Sequence, residues 1–217
     1  MMNYLFDLDG TLGNTLPLCI EAFRKAIEPL ANKTLSDAEI IAQFGPSEEG
    51  TIKALIPEHF DEGVQRYIDC YRELHHQWPH PFEGIVDILH WLKEKGVYVG
   101  LITGKGPHST QITLETYQLD VFFDCIKTGS IHGPVKKERI EEVLAETNLP
   151  RSEFCYVGDS PSDITASRAC GINVIAAAWA STADPEELSS MRPDFIFNTI
   201  KDFRHFVKRQ IENKSLS

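Results

Sequence analysis

Short apolar runs alternate with amphipathic stretches along much of the chain, and this pattern predicts strands separated by helices. The apolar runs predict buried strands at residues 3–8, 97–102, 125–128, 154–157, 174–177 and, at a sheet edge, 195–197. Helical spacing and stop signals predict helices at residues 85–95, 109–117, 136–147, 161–170 and 200–211. Such alternation is typical of a parallel sheet covered on both faces, so we expect an α/β fold with a Rossmann-like, doubly wound core.

The segment from residue 15 to residue 81 departs from this alternation. It contains no convincing strand, and its apolar residues recur at the three- and four-residue spacing of amphipathic helices. Prolines interrupt the helical pattern and end it. We therefore predict an α-helical insertion, residues 15–81, after the first strand of a core formed by residues 1–14 and 82–217.

The composition narrows the class of protein. Asp and Glu outnumber Lys and Arg by 32 to 21, and this net charge of −11 argues against a nucleic-acid backbone or an anionic membrane as the main partner. Five cysteines without a CxxC pair predict reduced, mostly buried thiols. The sequence has no signal-peptide pattern and no apolar run of the ~20 residues that span a bilayer, so we expect a cytoplasmic enzyme.

Polar residues stand where three of the predicted strands end. They are Asp7 and Asp9 after the first strand, Thr103 and Gly104 after the second, and Asp159 and Asp163 after the fourth. Two adjacent lysines, Lys136 and Lys137, begin the helix that precedes the fourth strand. Ligands of doubly wound sheets bind at the carboxyl ends of the strands, so these carboxylates, the threonine and a lysine are expected to share one site.

Several carboxylates cannot sit together in one pocket unless their pKa values are raised or a cation is bound among them. All the candidate ligands offer oxygen atoms, which select a hard cation, and Mg²⁺ is the usual choice where phosphate is also bound. The cation would offset the acidic cluster and the charge of a phosphate, so a strongly acidic protein can still bind an anionic substrate. The strand ends therefore predict a magnesium site for a phosphorylated ligand.

Four motifs give the chain a resemblance to a known family. They are Asp7-Leu8-Asp9-Gly10-Thr11-Leu12, Thr103-Gly104, the region of Lys136, and Gly158-Asp159 with Asp163. In these motifs the chain resembles the haloacid dehalogenase superfamily of hydrolases, over nearly its whole length. It looks like the subgroup with a helical cap inserted after the first strand, which includes phosphoglycolate-phosphatase-like enzymes. The first motif alone is fairly specific, and its combination with the fourth at this separation is strong.

The resemblance implies covalent catalysis by the first motif. Asp7 would attack phosphorus and form an aspartyl-phosphate, which water then hydrolyses; a carboxylate needs no base to activate it, because it is ionised at neutral pH. Asp9 would protonate the leaving oxygen and later activate water, as a general acid and base. The side chain of Asp7 and the backbone carbonyl of Asp9 would also bind Mg²⁺.

The other three motifs are implied to complete the site. Asp159 would bind Mg²⁺ directly, and Asp163 would support the metal through a water or hold the catalytic lysine. Thr103 and the backbone amide of Gly104 would bind phosphate oxygens, and a lysine of the third motif, Lys136, would neutralise the nucleophile and the transferring phosphoryl group. Asp163 alone would also suit the first turn of a helix, where an acid complements the helix dipole.

Either of two adjacent residues, Lys136 or Lys137, is a candidate for the catalytic lysine. The family usually shows Lys followed by Pro, whereas here Pro134 precedes Lys136 and Lys137. The count of residues through the helix favours Lys136, and Lys137 then suits a solvated helix start. Lys105, which follows the second motif directly, is expected at the surface.

The predicted cap loop, residues 44–50, bears on the substrate. Phosphosugar mutases of the group carry an arginine near the position of Glu48, and phosphonoacetaldehyde-hydrolysing relatives carry a lysine, so Glu48 suits neither activity. Asn14 stands at the first hinge, where many relatives have an acid. A haloacid dehalogenase proper would lack the carboxylate of Asp9. We therefore predict that Glu48 contacts the substrate, a small phosphate monoester whose leaving group is neutral or polar.

Two other functions use the same residues. A phosphotransferase or mutase would keep the aspartyl-phosphate away from water, and Asp7 and Asp9 are common to both activities. A non-catalytic binding protein would be favoured by the loss of a motif residue, and none is lost. Hinges near residues 12–15 and 79–83 would let the cap close over the site and exclude water.

Overall fold

The computed structural model describes residues 2–214 and contains a six-stranded parallel sheet. The strands are β1 (Asn3–Phe6), β2 (Val99–Ile102), β3 (Cys125–Lys127), β4 (Phe154–Gly158), β5 (Asn173–Ala177) and β6 (Phe195–Phe197). Their order across the sheet is β3-β2-β1-β4-β5-β6, so the chain builds outwards from β1 in one direction and then, from β4, in the other. This doubly wound topology confirms the predicted fold class, with β6 at an edge.

Helices form the connections between the strands. In chain order they are α1 (Leu16–Ala31), α2 (Asp37–Ile41), α3 (Glu48–Leu55), α4 (Phe60–Leu74), α5 (Ile85–Glu94), α6 (Pro107–Tyr117), α7 (Lys136–Thr147), α8 (Pro161–Ala169), α9 (Pro185–Ser190) and α10 (Ile200–Lys214). The sequence pattern did not predict α9, which begins behind an N-cap, Asp184, whose side chain accepts two backbone hydrogen bonds.

The register of β1 brings three strand ends to one level. Phe6 pairs with Leu101 of β2 on one side and with Val157 of β4 on the other. The backbone N–H of Asp7 continues the ladder and donates to the Val157 carbonyl at 2.9 Å. Because the three strands are parallel, the residues that follow them lie at the same edge, where the strand order reverses.

Side chains of β1 alternate between two packed faces of the sheet. Tyr4 and Phe6 contact Phe203 of α10, with ring centroids 6.5 and 6.3 Å from it. Leu5 lies in the cluster on the opposite face with Val143 of α7. Burial on both faces explains why the strands are almost continuously apolar in sequence.

Helices α1 to α4, which we call the helical insert, come between β1 and β2 in the chain and share a hydrophobic cluster. Phe23 of α1 packs on Tyr67 of α4, with ring centroids 4.6 Å apart, and Tyr67 packs on Tyr71. Ile112 of α6 belongs to this cluster, while Tyr117 of the same helix packs in the sheet core. Helix α6 therefore contacts both the helical insert and the sheet.

Two further findings concern the cysteines and the length of the helices. The five cysteines are free thiols, and Cys19, Cys155 and Cys170 are buried. Within residues 2–214, no helix is both long enough and apolar enough to cross a membrane.

Candidate active site

Asp7 lies directly after β1 and is almost completely buried, with 6% of its surface exposed. Its two carboxylate oxygens have different partners. Oδ1 accepts a hydrogen bond from the Leu8 backbone N–H at 2.7 Å, and Oδ2 accepts one from Lys136 Nζ at 2.5 Å. These contacts fix the orientation of the carboxylate at the edge of the sheet.

Three carboxylates converge at this edge. Asp7, Asp159 and Asp163 each offer an oxygen, and the three oxygens lie within 4.8 Å of one another. Asp159 follows β4, and its Oδ1 accepts a hydrogen bond from Thr11 at 3.3 Å. Asp163 is fully buried in the first turn of α8, where it forms a capping box with Ser160. The helix start thus orients Asp163 so that its other oxygen faces the site.

Lys136 supplies positive charge to this cluster. It is the first residue of α7, and its Nζ lies 2.5 Å from Asp7 Oδ2 and 2.5 Å from Asp163 Oδ1. Lys137 is exposed. Successive helix residues project about 100° apart, so only one of two adjacent lysines can face the carboxylates. The geometry therefore brings Lys136, and not Lys137, to Asp7.

The electrostatics of the cluster are dominated by burial. Burial raises the pKa of Asp7 to about 6, against the attraction of Lys136, and Asp163 adds to the rise. Burial and the charges of Asp7 and Asp163 raise the pKa of Asp159 well above its ordinary value. Burial alone would lower the pKa of Lys136, but Asp163 and Asp7 raise it, so the amine stays charged. Three carboxylates facing one ammonium leave surplus negative charge, which fits an oxygen-liganded divalent cation such as Mg²⁺.

Gly10 allows the turn after β1 to approach Asp159. Its φ of +72° lies in the left-handed region, and a Cβ at this position would clash with the Asp159 carboxylate. The turn formed by Asp9, Gly10 and Thr11 thus places Asp9 and leaves room for the carboxylate of Asp159.

The second motif lies beside Lys136. Thr103 is buried directly after β2, and its hydroxyl oxygen accepts a hydrogen bond from the Lys105 backbone N–H at 3.2 Å. A Cβ built on Gly104 would be 3.9 Å from Cε of Lys136. The Thr103-Gly104 turn is therefore adjacent to the ammonium that faces Asp7.

Asp9 lies apart from the three converging carboxylates. Its side chain is about a quarter exposed, and its Oδ1 accepts a hydrogen bond from Thr15 at the start of α1. The same oxygen is 3.5 Å from Lys105 Nζ. The carboxylate of Asp9 is thus directed towards the helical insert.

Lys105 is the residue that sequence reading missed. It was expected at the surface, but its side chain is fully buried, and its Nζ is 2.9 Å from Oε1 of Glu48. Glu48, predicted to contact the substrate, is itself buried at the start of α3. The position of Lys105 after a site motif was an available signal. Its partner is distant in the sequence, so no local pattern indicated the pair.

The chain is similar to known proteins over nearly its full length. Residues 4–177 match the model of the haloacid dehalogenase-like hydrolase family. The pyrophosphatase PpaX of Anoxybacillus flavithermus is 32% identical over 200 residues, which cover 91% of this chain and 93% of that protein. A haloacid dehalogenase-like hydrolase from Streptococcus pneumoniae matches with a TM-score of 0.75 at 26% identity, over 95% of this chain and 98% of that one. CbbY of Rhodobacter sphaeroides, in complex with phosphate, shares the fold with a TM-score of 0.78 at 18% identity, over 92% and 95% of the two chains.

Proposed function

The chain belongs to the haloacid dehalogenase-like hydrolase family, and from this premise we propose that it is a Mg²⁺-dependent phosphohydrolase that forms an aspartyl-phosphate on Asp7. The observation that carries the proposal is the position of Lys136 Nζ, 2.5 Å from both Asp7 and Asp163. A lysine there holds the attacking carboxylate in place and offsets charge on the phosphoryl group as it transfers.

Asp7 is the nucleophile of the proposed reaction. Its Oδ2 forms a bond to phosphorus while the bond from phosphorus to the leaving oxygen breaks, and water later attacks the aspartyl-phosphate to release phosphate and restore Asp7. Asp9, on the leaving-group side, donates a proton to the departing oxygen and takes one from the attacking water. Thr103 and the Gly104 amide would bind the non-bridging oxygens beside Lys136.

Asp7, Asp159 and Asp163 are the side chains proposed to hold the magnesium site, together with the backbone carbonyl of Asp9. When bound, Mg²⁺ would neutralise part of the carboxylate charge and polarise a phosphoryl oxygen. The raised pKa values of Asp7 and Asp159 support a site built for an additional cation.

We further propose that residues 15–81 are a cap domain that closes over the aspartate site, by which we mean the carboxylates of Asp7, Asp159 and Asp163 with Lys136 and Asp9. The hydrophobic cluster that α1 to α4 share, to which α6 adds Ile112, supports this division, because a cap that moves as one body needs its own core. Closure would exclude bulk water during phosphoryl transfer, and opening would release the product.

Removal of the metal is expected to abolish phosphate release from p-nitrophenyl phosphate, and added Mg²⁺ to restore it. Mg²⁺ should also raise the melting temperature without substrate, because it binds the folded state; at a hundredfold excess over Kd the gain is about 2.7 kcal/mol. Activity is measured with and without EDTA, and melting by calorimetry. Asp159→Asn should lose the thermal shift. Full activity in EDTA would contradict the magnesium assignment.

The substrate is proposed to be a small phosphate monoester, and pyrophosphate is the second candidate. Two observations favour the latter: a relative 32% identical to this chain is named a pyrophosphatase, and the charge of Glu48 is paired with Lys105. The paired glutamate repels an anionic leaving group less than a free one would.

A panel of substrates separates these candidates. For the monoester we expect uncharged sugar monophosphates to have higher kcat/KM than pyrophosphate, bisphosphates and phosphoglycolate. Pyrophosphate leading the panel would replace the monoester by the second candidate. Release of inorganic phosphate without an added acceptor distinguishes hydrolysis from phosphotransfer, because a transferase would retain the aspartyl-phosphate.

A further inference from the structure

Two charged side chains that take no part in the proposed phosphoryl transfer meet where the helical insert contacts the core. Glu48 begins α3, and Lys105 lies in the loop between β2 and α6. Lys105 Nζ is 2.9 Å from Glu48 Oε1, and less than a tenth of either side chain is exposed. Both charges have lost their hydration, so this pair forms only while the insert lies against the core.

The start of a core helix also holds the Glu48 carboxylate. It accepts hydrogen bonds from the Gly106 backbone N–H and from Ser109 Oγ, the latter at 2.6 Å. Gly106 is the N-cap of α6 and has no side chain with which to cap the helix, so the insert supplies the negative group. Burial would raise the pKa of Glu48, but Lys105, Ser109 and Gly106 outweigh burial and hold it below its ordinary value.

Lys105 also contacts two more helices of the insert and one residue of the aspartate site. Its Nζ is 2.9 Å from Cys19 Sγ of α1 and 4.4 Å from the ring centroid of Tyr71 on α4. On the other side it is 3.5 Å from Asp9 Oδ1. Lys105 therefore connects the docked insert to the carboxylate proposed as acid and base.

A neighbouring contact indicates how closely the insert approaches the core. The Ser47 backbone N–H donates to the Ser130 carbonyl at 2.8 Å, and a Cβ on Gly50 would lie 2.6 Å from the Ile131 carbonyl oxygen. A larger residue at position 50 would push α3 away from the loop after β3. The insert thus lies directly against the core at this contact, and Glu48 and Lys105 are both buried.

We propose that Glu48 and Lys105 are a closing pair, which holds the helical insert over Asp7 and fixes the Asp9 carboxylate through Lys105. Its part in catalysis rests on the proposed function. Attraction between the two charges is largely offset by their lost hydration, so the pair holds the insert reversibly, as a lid that opens in each turnover requires. Lys105 is therefore a positioning residue, since it acts through Asp9 and the insert.

The Glu48→Gln variant tests the closing pair. The measurement shows whether water or an added alcohol takes the phosphoryl group from the aspartyl-phosphate. p-Nitrophenyl phosphate transfers its phosphoryl group to Asp7 and releases one p-nitrophenol; water or added glycerol then accepts that group and restores Asp7. In the parent protein the closed insert excludes glycerol, so p-nitrophenol and phosphate should form in equal amounts. In the variant we expect their ratio to rise roughly twofold or more in glycerol, because the insert no longer stays closed.

Glu146→Gln is the matched control, since Glu146 pairs with Lys127 at 2.6 Å on the exposed surface of the core. It should leave the product ratio unchanged. An unchanged ratio in Glu48→Gln would overturn the closing pair even if the rate falls, because a merely structural defect lowers both products together. If the parent protein releases no p-nitrophenol with Mg²⁺, the proposed function fails, and the closing pair is decided by hydrogen exchange.

Hydrogen–deuterium exchange gives a readout that needs no activity. Glu48→Gln leaves the buried Lys105 with Asp9, 3.5 Å away, as its remaining carboxylate. Lys105→Met leaves the buried Glu48 without its ammonium. In both variants exchange at the start of α6 and in α3 should rise by roughly tenfold. The double variant removes both charges, and its effect should be smaller than the sum of the two single effects. Exchange that stays at the parent level in both single variants would overturn the proposal.

Discussion

Replacing Asp7 with asparagine is expected to lower the hydrolysis of p-nitrophenyl phosphate by a factor on the order of 10⁴ or more. The amide has nearly the shape of the carboxylate, but it cannot form the aspartyl-phosphate and carries no charge for Mg²⁺ or for Lys136. Such a loss corresponds to about 5.4 kcal/mol of transition-state stabilisation. The measurement is p-nitrophenol release at saturating Mg²⁺, with single-turnover experiments to detect any residual phosphoryl-enzyme.

The Asp7→Asn variant should remain folded, which makes its loss of activity interpretable. The side-chain oxygen of the introduced asparagine keeps the acceptor for the Leu8 N–H. Burial raises the pKa of Asp7 from 3.8 to about 6, so without metal the folded protein loses stability as the pH rises between these two values and stays less stable above them, and a neutral amide avoids this loss. We expect a melting temperature without Mg²⁺ close to that of the parent. Asp61→Asn, on the exposed start of α4, is the matched control and should keep full activity. Retained activity in Asp7→Asn would refute the nucleophile.

The position of Asp7 could be predicted because two local signals agree with one global rule. A short, largely apolar run predicts a strand buried on both faces, and Asp-Gly-Thr predicts the turn after it. In a parallel sheet the residues after neighbouring strands share one edge, and the observed register of β1 with β2 and β4 matches that expectation. The sequence therefore indicated Asp7, Asp159 and Asp163, whose carboxylates converge, but it did not indicate that the Asp9 side chain lies apart from them.

The pair between Glu48 and Lys105 could not be predicted in this way. The two residues meet only because α3 docks against the start of α6, and that contact depends on how the helical insert packs as a whole. A lysine between glycines after a strand has the local pattern of a solvated loop. Its burial follows from tertiary packing, which periodicity in the sequence does not report.

The start of helix α6 also differs from the prediction, again because apolar spacing does not report the relevant contact. Helix α6 was predicted from residue 109, but it begins at Pro107, where proline suits the first helical position because its fixed φ is already helical. This start matters for the contact with the insert. Because the helix begins at Pro107, Gly106 is its N-cap, and the Gly106 backbone N–H donates to the Glu48 carboxylate. Capping chemistry, rather than apolar spacing, therefore determined the contact.

Replacing Lys136 with methionine is expected to reduce kcat/KM by roughly 10²–10³-fold, while Lys137→Met should leave it nearly unchanged. Methionine keeps much of the length and apolar volume of the lysine side chain but removes the charge that contacts Asp7 and Asp163. The phosphoryl group would then transfer without its neutralising ammonium, and Asp7 would be less well oriented. The two variants remove the same charge from adjacent positions, so overall net charge cannot explain a difference between them.

Thermal unfolding completes this comparison. Lys136→Met leaves three crowded carboxylates without their ammonium, so its melting temperature without metal should fall, and Mg²⁺ should raise it more than in the parent because the cation then offsets more charge. Lys137 is exposed, so Lys137→Met should melt like the parent protein. The opposite pattern, with activity lost in Lys137→Met and kept in Lys136→Met, would transfer the catalytic role to Lys137. Equal losses in both variants would point to disruption of the start of α7 rather than to a charge held against Asp7.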